Sequence, residues 1–171
     1  DKFMIKNIDY NTEGYMLYTK DRLYRTKFKG DQHNYVKELK GNQPNILFRL
    51  LEIRTNENKL KDFLTYFPEY FDLATNIEVA IDELAQAILY FYTKVKKNKE
   101  NIIIPQLYQK PIIELHQSYI KLMNKYNPKK HSYKPSITLA KIIHYLNYEI
   151  DTKYLFHLIT YLNYFSKMNI Y

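Results

Sequence analysis

The chain has 171 residues, 46% of them hydrophobic, with 3 Gly and 6 Pro, which suits one ordinary core, or one domain plus a fragment of another, and excludes a disordered polymer. Zero Cys excludes a disulfide framework and a thiolate metal site and favours a reducing, intracellular compartment, and no apolar run reaches the roughly 18 residues of a membrane-spanning helix. The formal net charge of +8 points to a polyanionic partner through phosphate contacts, although an AT-rich genome, which enriches Lys, Asn, Ile and Tyr together, accounts equally well for the charge and for the 19 Tyr.

The chain opens at Asp1 with no signal-type apolar stretch, which reads as processing, trimming or excision from something longer. Thr12-Glu13-Gly14-Tyr15-Met16-Leu17-Tyr18 and Arg22-Leu23-Tyr24-Arg25-Thr26-Lys27-Phe28-Lys29-Gly30 are dense in β-branched, aromatic and long side chains around the polar turn Thr19-Lys20-Asp21. They predict a two-stranded hairpin. Pairing sets the Glu13 carboxylate, at the start of one strand, near the Lys27 and Lys29 ammonium groups at the end of the other. Such an arrangement suits a bound phosphate with its metal or ribose. Strand character ends near Tyr35, and Gly30-Asp31-Gln32-His33-Asn34 and Gly41-Asn42-Gln43-Pro44 read as loops.

From Pro44 onward apolar residues recur at three and four, predicting about six helices. Ile46 to Ile53 forms one helix started by Pro44, and Leu60 to Phe67 a second ended by Pro68. Ile77 to Tyr92 forms a long third, capped by Asn76 and finishing in Lys94-Val95-Lys96-Lys97-Asn98-Lys99, whose charges complement the helix dipole. A fourth follows Pro105. Ser136 caps a fifth through Leu146, and Asp151 or Thr152 caps the last. The expected fold is mainly α: a hairpin-bearing N-terminal piece over 1–41, then an all-helical domain over 42–171.

Glu13-Gly14-Tyr15, Lys20-Asp21, Lys27-Phe28-Lys29 and Tyr35 together resemble motifs four and five of the covalent nucleotidyltransferases, in particular phage-type ATP-dependent RNA ligases. Leu47 to Arg54, Leu60 to Tyr70 and Glu114 to Tyr164 resemble the helices that follow the adenylation domain in some of them. The resemblance implies that residues 1–41 are the last strands of an adenylation domain and 42–171 a helical domain that positions RNA, including structured RNA such as a nicked tRNA loop. It implies a parent enzyme that uses ATP and Mg2+ to seal 5′-phosphate and 3′-hydroxyl RNA ends through lysyl-adenylate and RNA-adenylate intermediates. Lys27 and Lys29 then correspond to the motif-five catalytic lysines that neutralise the α-phosphate. Glu13 corresponds to the motif-four carboxylate that holds nucleotide, or metal through nucleotide or water. Gly14 lets the backbone approach the nucleotide. The Lys-x-Asp-Gly box that carries the nucleophilic lysine is absent. The implied partner is therefore a missing N-terminal adenylation domain, and no tight cofactor binding is expected of this chain alone.

Outside that resemblance, Glu13 reads as a solvated strand-end carboxylate and Lys27 and Lys29 as edge charges that discourage aggregation. The whole chain then reads as a non-enzymatic helical module that binds nucleic acid or, in a virus, another protein. The basic and aromatic loop holding Lys129, Lys130, His131, Tyr133 and Lys134 is the leading RNA-contact candidate beyond the hairpin, and Lys96 and Lys97 sit in a second basic patch. His116 and His144 read as hydrogen-bonded core histidines. The other His residues lack metal-ligand spacing, so no structural zinc is expected. No serine sits in a Gly-x-Ser-x-Gly setting, and three glycines cannot build a phosphate-cradling loop.

Overall fold

A computed structural model of the chain describes residues 9–129 and 134–167. These form an antiparallel hairpin, β1 (Gly14–Tyr18) and β2 (Arg25–Lys29), followed by seven α-helices. The helices are α1 (Asp31–Lys40), α2 (Ile46–Ile53), α3 (Glu57–Tyr66), α4 (Phe71–Tyr92), α5 (Gln106–Lys125), α6 (Leu139–Tyr148) and α7 (Thr152–Lys167). The mainly helical fold with an N-terminal hairpin is as expected. The contacts divide the chain into two compact units, Asp1–Phe71 and Asp72–Tyr171. That cut differs from the 41/42 boundary inferred from the resemblance.

In the first unit, the expected loop after Gly30 is helix α1. Its polar start hides the period: Asp31 suits the positive end of the helix dipole, and only Val36 and Leu39 are buried. At its other end Gly41 adopts φ 70°, and a Cβ there would lie 3.0 Å from the Arg49 Nε. That guanidinium donates from Nε to the Leu39 carbonyl at 2.9 Å and from Nη2 to the Glu38 carbonyl at 2.8 Å. Arg49 thus supplies donors to carbonyls that the end of α1 would otherwise leave without partners. Asn45 caps α2 by accepting from the Phe48 N–H, so Pro44, expected at the start of the helix, precedes the cap, and Asn56 caps α3 by accepting from the Lys59 N–H. Both α1 and α2 pack on α3, where Phe63 is fully buried with Phe67 and Tyr70 rings at 5.0 and 6.0 Å.

Helix α4, which runs through the start of the second unit, begins at Phe71 directly after the tight turn Pro68–Tyr70, so Asn76 lies inside the helix and caps nothing. The helix closes in a π-helical turn, Thr93–Lys97. Thr138 replaces Ser136 as the cap of α6, and the Asp151 carboxylate accepts from the Tyr154 N–H at the start of α7. Pro111 sits inside α5 without an N–H to offer the Leu107 carbonyl one turn back; the Tyr154 hydroxyl of α7 donates to that carbonyl at 2.8 Å. The Tyr145 hydroxyl of α6 donates to Glu114 of α5. Apolar side chains of α4, α5, α6 and α7, Leu84, Ile88, Ile112, Ile142 and Leu158 among them, are fully buried. Among the described residues no helix is long and apolar enough to cross a membrane.

Candidate functional site

The hairpin is closed by a six-residue connection in which the Thr19 N–H donates to the Tyr24 carbonyl at 3.0 Å and Arg22 takes φ 59°. Asp21 accepts from the Thr19 hydroxyl and from the Leu23 N–H. The turn fixes the register Gly14↔Lys29, Met16↔Lys27 and Tyr18↔Arg25. Lys27 and Lys29, two residues apart on one strand, therefore share a face.

A regular pleat would send Glu13 to the opposite face, because its neighbour Gly14 is the residue paired with Lys29. The alternation fails at Gly14, whose φ is 151°. The Glu13 carboxylate reaches the lysine face, with Oε1 2.9 Å from the Lys27 Nζ and 3.3 Å from the Lys29 Nζ. Gly14 is required on a second ground: a Cβ there would lie 1.8 Å from the Phe28 carbonyl oxygen. The close approach that needs a glycine is thus to the neighbouring strand. The hydrogen bonds from Lys27 and then Lys29 pull the Glu13 carboxyl from its ordinary 4.5 down to about 2. One carboxylate between two ammonium groups leaves a local charge of +1, in solvent, at the open end of the hairpin.

The donor set fits a phosphate group: two cations on one face, both accessible. For a metal ion it offers one carboxylate already engaged by two lysines, and no group of three or more His, Asp or Glu gathers in metal-binding geometry among the described residues. A hard divalent ion would depend on phosphate oxygens and water for its remaining ligands. Tyr35 does not join this cluster. It lies on α1, where its hydroxyl donates to the Asp62 carboxylate of α3, an interaction that holds the phenol proton more tightly than usual.

Of the predicted RNA contacts, Lys130, His131 and Tyr133 lie outside the described residues, while Lys129 and Lys134 are exposed. Lys96 and Lys97 are brought together in the π-helical turn. Their neighbour Lys94 pairs with Glu100 at 3.0 Å, whereas Lys96 and Lys97 form no ion pair among the described residues. Both line a cavity of about 470 Å³ that also takes in Tyr92, His116, Tyr119 and Ser136. His116 is hydrogen-bonded as expected, its Nδ1 3.2 Å from the Tyr92 hydroxyl. His144 is a surface residue beside Glu149 rather than a core histidine, because the apolar face of α6 is formed by Ile142, Tyr145 and Leu146. The cavity went unread in the sequence because its walls come from three separate segments. No family model, no curated protein and no solved structure matches the chain.

Proposed function

We propose that this chain is the C-terminal portion of an ATP-dependent RNA ligase, supplying phosphate-binding residues from its hairpin and RNA-binding residues from its helices. The observation that carries the reading is the convergence of Glu13, Lys27 and Lys29 at 2.9 and 3.3 Å at the open end of a ribbon. The ribbon itself supports it. Tyr15, Met16, Leu17, Tyr18 and Phe28 are exposed, and an isolated two-stranded ribbon is marginal in water. Strands with apolar groups bare on both faces suit the edge of a larger sheet, the one an N-terminal adenylation domain would bring.

ATP with Mg2+, when bound, would supply the activated adenylyl group, with pyrophosphate as its leaving group; the residues of this chain would bind and orient it. In this role Lys27 and Lys29 hold charge developing on phosphate oxygens, as fixed cations preorganised on one strand. Glu13 keeps the two ammonium groups together and turned to one face until phosphate displaces it. Gly14 sets the side on which the carboxylate stands.

The test has two arms. The reading frame upstream of Asp1 is expected to encode a Lys-x-Asp-Gly box, about 100 residues or more away for a domain of ordinary size. Its full product, incubated with Mg2+ and ATP labelled at the α-phosphate, is expected to retain label after denaturation and to lose it on joint Lys27→Ala and Lys29→Ala substitution. A full-frame product that takes up no label overturns the reading and leaves a non-enzymatic binding module.

A further inference from the structure

The cavity at the end of α4 is distinct in kind from the hairpin. Its volume of about 470 Å³ lies within the range of small-molecule sites, about 300–1,000 Å³. One rim is cationic: Lys96 and Lys97 stand side by side, exposed and without carboxylate partners among the described residues, and no Asp or Glu lines the space. The inner wall is aromatic. The His116 and Tyr119 rings lie nearly parallel, at 22° with centroids 6.0 Å apart, and Tyr92 packs against His116 at 5.9 Å. Hydroxyls of Thr93 and Ser136 complete the lining.

Two features hold this wall as a neutral, hydrogen-bonding surface. Burial, with the nearby charge of Lys96, lowers the His116 pKa from 6.5, so the imidazole is neutral at pH 7. Burial raises that of the Tyr92 phenol, which keeps its proton. The lysines owe their position to the π-helical turn: the Asn98 N–H bonds the Thr93 carbonyl at 2.9 Å, five residues back. Turns of this kind are rare and recur at functional sites.

We infer that this cavity takes one unpaired nucleotide, its phosphate on Lys96 and Lys97 and its base against the His116 and Tyr119 rings. A simple anion would use the lysines and leave the rings idle; an apolar ligand would do the reverse. A nucleoside phosphate satisfies both, and aromatic stacking makes binding tolerant of base identity. The ligand class rests on the RNA-binding reading above, but the site belongs wholly to the second unit and needs nothing from the hairpin.

The probe is a fluorescently labelled single-stranded oligouridylate, which has no secondary structure to melt, titrated into the full chain; uridine 5′-monophosphate in a parallel titration tells a free nucleotide from one within RNA. Wild type is expected to bind the oligomer. Joint Lys96→Glu and Lys97→Glu substitution, at exposed positions, is expected to weaken it about tenfold or more and to flatten its salt dependence. Tyr119→Leu is expected to weaken it about tenfold with the salt slope unchanged. Circular dichroism melts confirm that each variant is folded. Wild type that binds neither probe overturns the RNA reading and this site together. Wild type that binds while both variants match it overturns the site alone.

Discussion

At Glu13 one carboxylate is held by two ammonium groups, and the consequence is a titration far from the ordinary one. Its folded pKa of about 2 lies below the unfolded value of 4.5, so the interaction stabilises the hairpin above pH 4.5 and is lost as pH falls toward 2. Lys27 makes the larger contribution. NMR titration of the Glu13 carboxyl carbon is expected to show a midpoint near 2 in wild type, with a larger rise in Lys27→Met than in Lys29→Met; a wild-type midpoint near 4.5 refutes the ion triad. Gly14 gives a second test. Alanine there meets the Phe28 carbonyl oxygen at 1.8 Å at an unfavourable φ of 151°, a backbone conformation that costs about 1–3 kcal/mol before any clash. Gly14→Ala is expected to break the cross-strand pairing of this position with Lys29 and to return the Glu13 titration toward its ordinary range. Lys27 and Lys29 were legible as one face from alternation, and Glu13 as their neighbour from antiparallel pairing of the strand ends. The role of Gly14 was not, because regular alternation puts Glu13 on the wrong face and only the backbone angle brings it round.

At the scale of elements, helices whose apolar residues recur at three and four were legible, as for α2, α3, α5, α6 and α7. Helix α1 was not, since Asp31 to Asn34 carries no apolar residue to mark a period and only Val36 and Leu39 are buried. The caps were legible in part: Asp151 caps α7 as expected, Thr138 stands in for Ser136 two residues away, and Asn76 falls inside α4. Two contacts between elements follow from backbone accounting and yield measurable energies. Arg49→Met removes the donors on the Glu38 and Leu39 carbonyls while keeping a long apolar stem, and is expected to cost about 1–3 kcal/mol in denaturant unfolding of the first unit. In the second unit, Tyr154→Phe leaves the Leu107 carbonyl without its hydroxyl donor, at a cost of about 1–3 kcal/mol. Pro111→Ala restores the missing helical N–H, so the same Tyr154→Phe change is expected to cost less in that background. Equal costs in both backgrounds would show that the hydroxyl is not standing in for the proline's absent donor.

Across the whole molecule a net charge of +8 attracts any polyanion, and the two basic sites are distinguished by what already neutralises them. Lys27 and Lys29 share Glu13, so phosphate arriving at the hairpin must displace a carboxylate, whereas Lys96 and Lys97 have no carboxylate to displace among the described residues. For single-stranded RNA each phosphate contact contributes about −0.7 to the slope of log affinity against log salt. Lys96→Ala with Lys97→Ala is therefore expected to flatten that slope by about 1.4. Joint loss of Lys27 and Lys29 should flatten it less. Glu13→Gln sets the hairpin lysines free, and in metal-free buffer it is expected to strengthen RNA binding and steepen the slope. In the full-frame product the same substitution is expected to reduce adenylyl labelling, because the carboxylate that restrains the lysines is also the group assigned to metal or nucleotide. Tighter RNA binding together with weaker adenylylation separates a ligase site from a merely basic ribbon, on which Glu13→Gln would raise affinity and leave adenylylation unchanged.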